Sequence, residues 1–518
     1  MVLNRRKFLT ASSSAMALAT VPHLLQAGMS QATEPENWSV RFQAALREKP
    51  WLSGFESAAQ EQYKADAVIT GHWPDALRGT LYRNGPAQHE VGGFRYQHWF
   101  DGDGMIHAYD LSSEGVAHQA KMIQTRKYQA EKLSGRAMYP TFGSIPPNPA
   151  AVTSPDVMNV ANISVLPHHG KLMALWEAGS PWEIDPETLD SKGAYSFSDN
   201  TRGVPFSAHP RVEPDGTMWN FGYLSSANML VLWHIDAKGK IVKMGKVSSD
   251  PMSMPHDFVV TDKHIVIMMP PFDYSHQERP TAFLNSHEWH SDQASRVLVV
   301  DKSDFSNFRW LELPSQRVFH YGNAWEDRNG VIYFDGARAK DPRIMTNGFR
   351  DVMQGIELTE HVTRHYQYRL DTKNWTISEQ AIMDANVHSE FPVIDPRVST
   401  QRYRRLVVMT SNHNSRLQPT PYPKNGQLNE VSCFDLESGK LVSYRYPDTQ
   451  IPEEHLFVPK PNSALETDGW IIGTAHNWQT QSTLLNVFDI QAVDAGTIAT
   501  ATLPYAMPLG LHGKFVQR

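Results

Sequence analysis

Four histidines in this chain sit in distinctive surroundings and have the chemistry of metal ligands. His209 lies in Phe206-Ser-Ala-His-Pro210 and His256 in Met254-Pro-His-Asp-Phe258. His320 lies in Phe319-His-Tyr-Gly-Asn-Ala-Trp325 and His512 in Leu509-Gly-Leu-His-Gly513. They spread over roughly three hundred residues, so no local metal motif joins them. Gathered by a fold, they would make an all-imidazole centre suited to Fe(II) and oxygen chemistry.

Composition alone cannot select them, because the chain has 23 histidines. A lone histidine near a strand end is more often a hydrogen-bonded structural residue than a ligand. His168, His169, His264 and His388 carry that ordinary reading. His287-Glu-Trp-His290 lacks the helical i, i+4 spacing of a zinc protease motif and reads as a solvated loop. The single cysteine, Cys433, excludes an intramolecular disulfide and thiolate-rich zinc or iron–sulfur sites. Its place in Val431-Ser-Cys-Phe434 reads as a small buried filler. No Ser-His-Asp elbow, phosphate-cradling glycine loop or glycosidase-like carboxylate pair is visible.

The elements that must position the histidines read as strand, turn, strand from about Val68 onward. Turns such as Glu213-Pro-Asp-Gly216, Asp236-Ala-Lys-Gly239, Asp327-Arg-Asn-Gly330 and Glu437-Ser-Gly-Lys440 separate short apolar runs. The 34 prolines and 32 glycines are scattered throughout. Short strands without long amphipathic helices mean an all-β sandwich, barrel or propeller. At 518 residues a propeller is favoured, since blades add radially without one oversized core. Its strand ends near the axis would each supply one ligand. Two excursions, Gln129 to Val152 and Pro270 to Ser295, read as loops capping one face. The mature chain, residues 30–518, reads as one domain.

A formal net charge of -7 gives no reason to expect nucleic acid as a partner. A mean hydropathy of -0.44 argues against a multi-span membrane protein. Residues 1–29 resemble a twin-arginine signal peptide: Asn4-Arg-Arg-Lys-Phe-Leu-Thr10 precedes an apolar, small-residue run. That predicts export of a folded protein, to the periplasm or its equivalent.

Several blocks resemble the carotenoid cleavage oxygenases. They are Leu77-Arg-Gly-Thr-Leu-Tyr-Arg-Asn-Gly-Pro86, His98-Trp-Phe-Asp-Gly-Asp-Gly-Met105, Leu175-Trp-Glu-Ala-Gly179, the four histidine blocks, Ser389-Glu-Phe-Pro392 and Leu503-Pro-Tyr. They follow in the family's order from about residue 65 to the C-terminus. The resemblance implies a seven-bladed β-propeller with one Fe(II) on its axis, held by His209, His256, His320 and His512, and O2 as co-substrate. It also implies carboxylates behind the ligands at Glu177, Glu390 and Glu454, with the adjacent Glu453 leaving the last assignment open. A carboxylate accepting the second imidazole N–H would fix tautomer and ring direction. Asp101 and Asp103 read as shaping a turn. Ile163 falls where the family commonly has threonine or valine near the iron.

The implied reaction inserts O2 across an electron-rich alkene to give two carbonyl products. The family's stilbene-cleaving branch typically has a lysine where this chain has Trp176. That favours a carotenoid or apocarotenoid over a hydroxystilbene. The alternatives are a lignostilbene-type dioxygenase and a non-catalytic propeller that binds an apolar ligand. Trp99, Phe100, Phe142, Ile163 and Trp176 are candidates for the substrate tunnel. So insoluble a substrate predicts peripheral contact with a membrane at the tunnel mouth.

Overall fold

Strand burial follows position within a sheet. The outer strand Thr376–Ala381 alternates between exposed and half-buried residues, as a strand with one solvated face must. Gly79–Gln88 is buried along nearly its whole length, because neighbouring sheets cover both of its faces. The computed structural model describes residues 37–276, 281–357, 362–412 and 428–518. The residues from Trp38 to Arg518 form one compact unit. The proposed signal, residues 1–29, lies outside the described residues.

Seven antiparallel sheets of four or five strands make a seven-bladed β-propeller. Blades 2 to 6 follow chain order, running Ser164–His168 to Ser191–Ala194, Arg211–Val212 to Ile241–Ser248, Val259–Val260 to Phe308–Leu313, Arg317–Glu326 to Thr376–Ala381 and Val387–Val393 to Lys440–Arg445. Blades 1 and 7 close the ring. The last strand, Gly513–Gln517, pairs with Gly79–Gln88 in blade 1. The early strand Val68–Gly71 pairs with Ala499–Thr502 in blade 7. Both ends of the propeller chain are therefore tied into blades built mainly from the other end.

Asp-x-x-Gly turns form the hairpins as expected. Gly239 (φ +78) and Gly330 (φ +80) adopt the left-handed conformation their turns require. The excursions are more ordered than a loop reading implies. Gln129 to Val152 begins inside a helix, Arg126–Ser134, whose N-cap Thr125 accepts from the Tyr128 amide and whose C-cap is Gly135. Pro270 to Ser295 contains a two-stranded ribbon, Phe272–Tyr274 with His287–Trp289. His287 is correspondingly half-buried, not solvated, and bonds the Phe283 carbonyl at 2.9 Å. The two excursions join through the Leu284 amide, which donates to the Phe142 carbonyl at 2.8 Å.

Three blades are locked together beside the axis by one ion pair. Arg211 Nη2 lies 2.8 and 2.7 Å from the two carboxylate oxygens of Asp257. Its other nitrogens donate to the Phe258 and Gly322 carbonyls, and Asp257 accepts the Tyr321 amide at 2.9 Å. Each contributing segment lies within two residues of His209, His256 or His320. Arg211→Met should strand the buried Asp257 charge and cost about 3 kcal/mol. Thermal unfolding would read this as a lowered midpoint, much of it recovered in Arg211→Met/Asp257→Leu.

Candidate metal centre

Each of the seven blades delivers one residue to the axis. His209 and His256 occupy the turns entering blades 3 and 4, and His512 immediately precedes the closing strand of blade 1. His320 differs from the strand-end expectation, since it lies within Arg317–Glu326. Glu177 follows the second strand of blade 2, and Glu390 and Glu454 lie in the innermost strands of blades 6 and 7. The rings converge: centroids of His209 lie 4.5, 5.1 and 4.7 Å from those of His256, His320 and His512.

Three of the residues sit on backbone irregularities. Register shifts occur between Val318 and Tyr321, between Glu390 and Val393, and between Pro452 and His455. A bulge adds a residue, bends the strand and re-aims a side chain that would otherwise follow strict alternation. At Glu390 the next residue, Phe391, is held at φ +53, an outlier for a bulky side chain. Its amide donates to Glu390 Oε2 at 2.8 Å and its ring stacks on His320 at 5.2 Å.

The carboxylates face the outer ring nitrogens. His320 Nδ1 is 2.6 Å from Glu390 Oε2, His512 Nδ1 is 2.8 Å from Glu454 Oε1, and His256 Nδ1 contacts Glu177 Oε1. An ionised carboxylate can only accept, so each Nδ1 carries the proton and each Nε2 presents a lone pair. Nε2 of His256 lies 2.9 Å from that of His209 and 3.3 Å from that of His320. The facing lone pairs of His256 and His320 repel at that distance unless an electrophile lies between them, and the same electrophile would engage His209 Nε2. The donor set fits a divalent cation of borderline softness.

The electrostatics agree for His209, His512 and Glu454. Burial pushes the His209 imidazole well below its ordinary value, and the like charges of its three partners push the same way. It is therefore neutral, as a ligand must be. Burial also lowers His512, against the opposing pull of Glu454. For His320 burial lowers and Glu390 raises, and the carboxylate prevails. Burial would raise Glu454, but His512 and Arg83 outweigh it and hold the carboxyl at about 2.

The geometry separates Glu453 from Glu454. Glu454 Oε2 also accepts the Gly513 amide at 2.8 Å, tying the carboxylate to both sides of the His512 peptide. Glu453 turns instead to the Gly510 amide and the Thr474 hydroxyl, with Arg83 at 3.6 Å. Asp101 accepts the Gly143 amide and the Ser144 hydroxyl, and Asp103 pairs with Lys127 at 2.9 Å, so both are structural.

A largely apolar cavity opens onto His256, His320 and His512. Trp99, Phe100 and Ile163 line it as expected, and the His512 amide donates to the Ile163 carbonyl at 3.3 Å. Phe142 and Trp176 are corrected: neither is a wall of this cavity. Phe142 packs behind it against His98 and Phe283, and Trp176 is half-buried at the edge of the apolar cluster that includes Phe206 and Ile163. Phe319, Phe349, Phe391 and His388 are walls that the sequence reading passed over. Phe319 and Phe391 adjoin His320 and Glu390, a usable signal. Phe349 belongs to a run of short helical turns, Ile344–Gln354, which nothing in the sequence tied to the axis. With Phe55, those turns form part of the cavity wall, a role expected of the two excursions.

Comparison with known proteins shows the family and agrees with the fold. Residues 55–517 match the model of the family described as retinal pigment epithelial membrane protein (RPE65). The chain is 28% identical to the apocarotenoid-15,15'-oxygenase of Synechocystis, over 92% of this chain and 98% of that protein. It is 26% identical to an isoeugenol monooxygenase of Pseudomonas nitroreducens, over 88% and 95% respectively. A crystal structure of cobalt-substituted Synechocystis ACO superposes with a TM-score of 0.80 at 27% identity, covering 91% of this chain and 99% of that one.

Glu454→Gln should weaken metal binding 10- to 100-fold, as loss of a ligand-orienting carboxylate does. Glu453→Gln should leave it near the unsubstituted value. Competition with a metal-binding dye measures both, and equal losses would contradict the assignment.

Proposed function

The chain belongs to the retinal pigment epithelial membrane protein family and is an oxygenase of the dioxygenase kind, and from that premise we propose that it cleaves a conjugated double bond of a carotenoid or apocarotenoid. The observation that carries this reading is the set of four imidazoles meeting around His209, three of which open onto an apolar cavity. His209, His256, His320 and His512 would hold one Fe(II), with Glu177, Glu390 and Glu454 behind three of them. The bound iron supplies the means for triplet O2 to react with a closed-shell alkene.

The protein's own residues do the rest. The carboxylates hold the proton of three rings on Nδ1, so that Nε2 is the donor atom, and fix the rings in direction. Trp99, Phe100, Phe319 and Phe349 offer flat apolar walls that bind a polyene and exclude water. No side chain is required to move a proton. The three carboxylates, facing the outer ring nitrogens, would offset the charge of a bound metal from behind the imidazoles.

A second reading, cleavage of a phenolic alkene such as a hydroxystilbene, is favoured by the likeness to a relative named for isoeugenol. Export by the twin-arginine route and peripheral contact with a membrane belong to the same proposal. Leu133 (91% exposed) and Val152 (43%) in the first excursion support the membrane contact. Among the described residues no helix is long and apolar enough to cross a membrane.

The test is anaerobic reconstitution with Fe(II), then oxygen uptake with an apocarotenal and with a hydroxystilbene. Aldehyde products from the apocarotenal, carrying label from 18O2, are expected. Products from the stilbene alone would transfer the assignment to the second reading. Retained iron with no oxygen uptake would favour a binding protein. His320→Ala should lose both iron and uptake.

A further inference from the structure

One wall of the cavity carries a charge that the centre does not use. Arg317 begins the innermost strand of blade 5, three residues before His320, and lines the cavity. It is 2% exposed, yet Nε, Nη1 and Nη2 all lack a hydrogen-bond partner among the described residues. Its guanidinium carbon rests 4.7 Å from the centroid of the Phe319 ring, a contact that uses the face of the fork and leaves its N–H edges free. Across the ladder its partner is Ala339, which offers no polar group. Glu177 and Glu390 feel its charge and each keeps a buried oxygen without a hydrogen-bond partner among the described residues, but neither hydrogen-bonds Arg317, and each turns toward a histidine, His256 or His320.

A buried guanidinium with no acceptor is costly, and proteins seldom retain one without use. Burial lowers its pKa only to about 10, with Glu177 opposing, so it stays charged at neutral pH. Five N–H donors in a planar fork match one kind of group best, a carboxylate accepting two parallel bonds. The surrounding wall (Phe319, Ala339 and the Thr363 side chain, whose hydroxyl already donates to the Ser389 carbonyl at 2.7 Å) has little else to offer such an anion.

We infer that Arg317 anchors the carboxylate end of an acidic polyene, so that the substrate is an apocarotenoid acid seated with its apolar stem along the aromatic wall. This rests on the oxygenase reading above and deepens it. A phenolate oxygen could take one N–H but not the fork, which ranks the acid first.

The test compares an apocarotenoic acid with the aldehyde of the same polyene length. The iron-loaded enzyme should favour the acid by tenfold or more in kcat/KM. Arg317→Met should reduce turnover of the acid about 10- to 100-fold, mainly through KM, the range a charge-assisted pair provides. Turnover of the aldehyde should change little, and Arg317→Lys should recover part of the loss. Arg317→Met should keep its iron and melt no lower than the unsubstituted enzyme, because an unpaired buried charge has been removed. Equal losses on both substrates, loss of iron, or a large drop in melting temperature would make Arg317 a structural counter-ion and overturn the inference. Should Arg317→Met not fold, the unsubstituted enzyme still decides: no preference for acid over aldehyde, or a preference for hydroxystilbene, refutes it. Anaerobic binding, read by polyene quenching of tryptophan emission with Trp99 in the wall, separates the two claims. Arg317-dependent binding of the acid without cleavage of any alkene would sink the oxygenase reading and leave the anchor standing.

Discussion

Lone pairs from several imidazoles aimed at one point repel one another, and the rest of this structure serves to hold them there. His256, His320 and His512 cannot relieve the repulsion by turning, because each outer nitrogen faces a carboxylate. Nor can they relieve it by protonating the inner nitrogen without placing cations side by side in a buried site. A metal ion satisfies all the lone pairs at once. The folded chain is thus prepared for a cation before one arrives, and metal binding should stabilise the fold.

A propeller suits this task for a geometric reason. Its innermost strands approach a common axis from every direction, so residues hundreds of positions apart become neighbours. Here all seven blades contribute, four with imidazoles and three with carboxylates. Regular strands would point alternate side chains away from the required direction. The bulges at His320, Glu390 and Glu454 make the local adjustment, and the left-handed Phe391 is the cost of one of them. The Arg211–Asp257 pair fixes the backbone next to three of the histidines, so the centre's precision comes from its surroundings as much as from the rings themselves.

The cavity explains why such a centre would act on an apolar molecule. Its walls are mostly aromatic and aliphatic, and polar groups gather at the metal end and at Arg317. A polyene entering such a space would lose its unfavourable contact with water and gain flat contact area, and the polar groups would set which way round it lies.

The sequence by itself determined the strand-and-turn pattern, the propeller class and which four histidines meet at the axis. Asp236-Ala-Lys-Gly239 declares its hairpin through local backbone sterics, and each histidine is marked by its own block of residues. Those signals are local, so they survive in one dimension. It could not choose between Glu453 and Glu454, since neighbours on a strand face opposite ways and only the bulge register decides which meets His512. It also chose Phe142 and Trp176 over Phe349, Phe391 and Arg317 for the cavity. Aromatic residues look alike in sequence whether they fill a core or line a void. Which of the two they do depends on where the blades and helical turns meet in space, and that was decided only by tertiary packing.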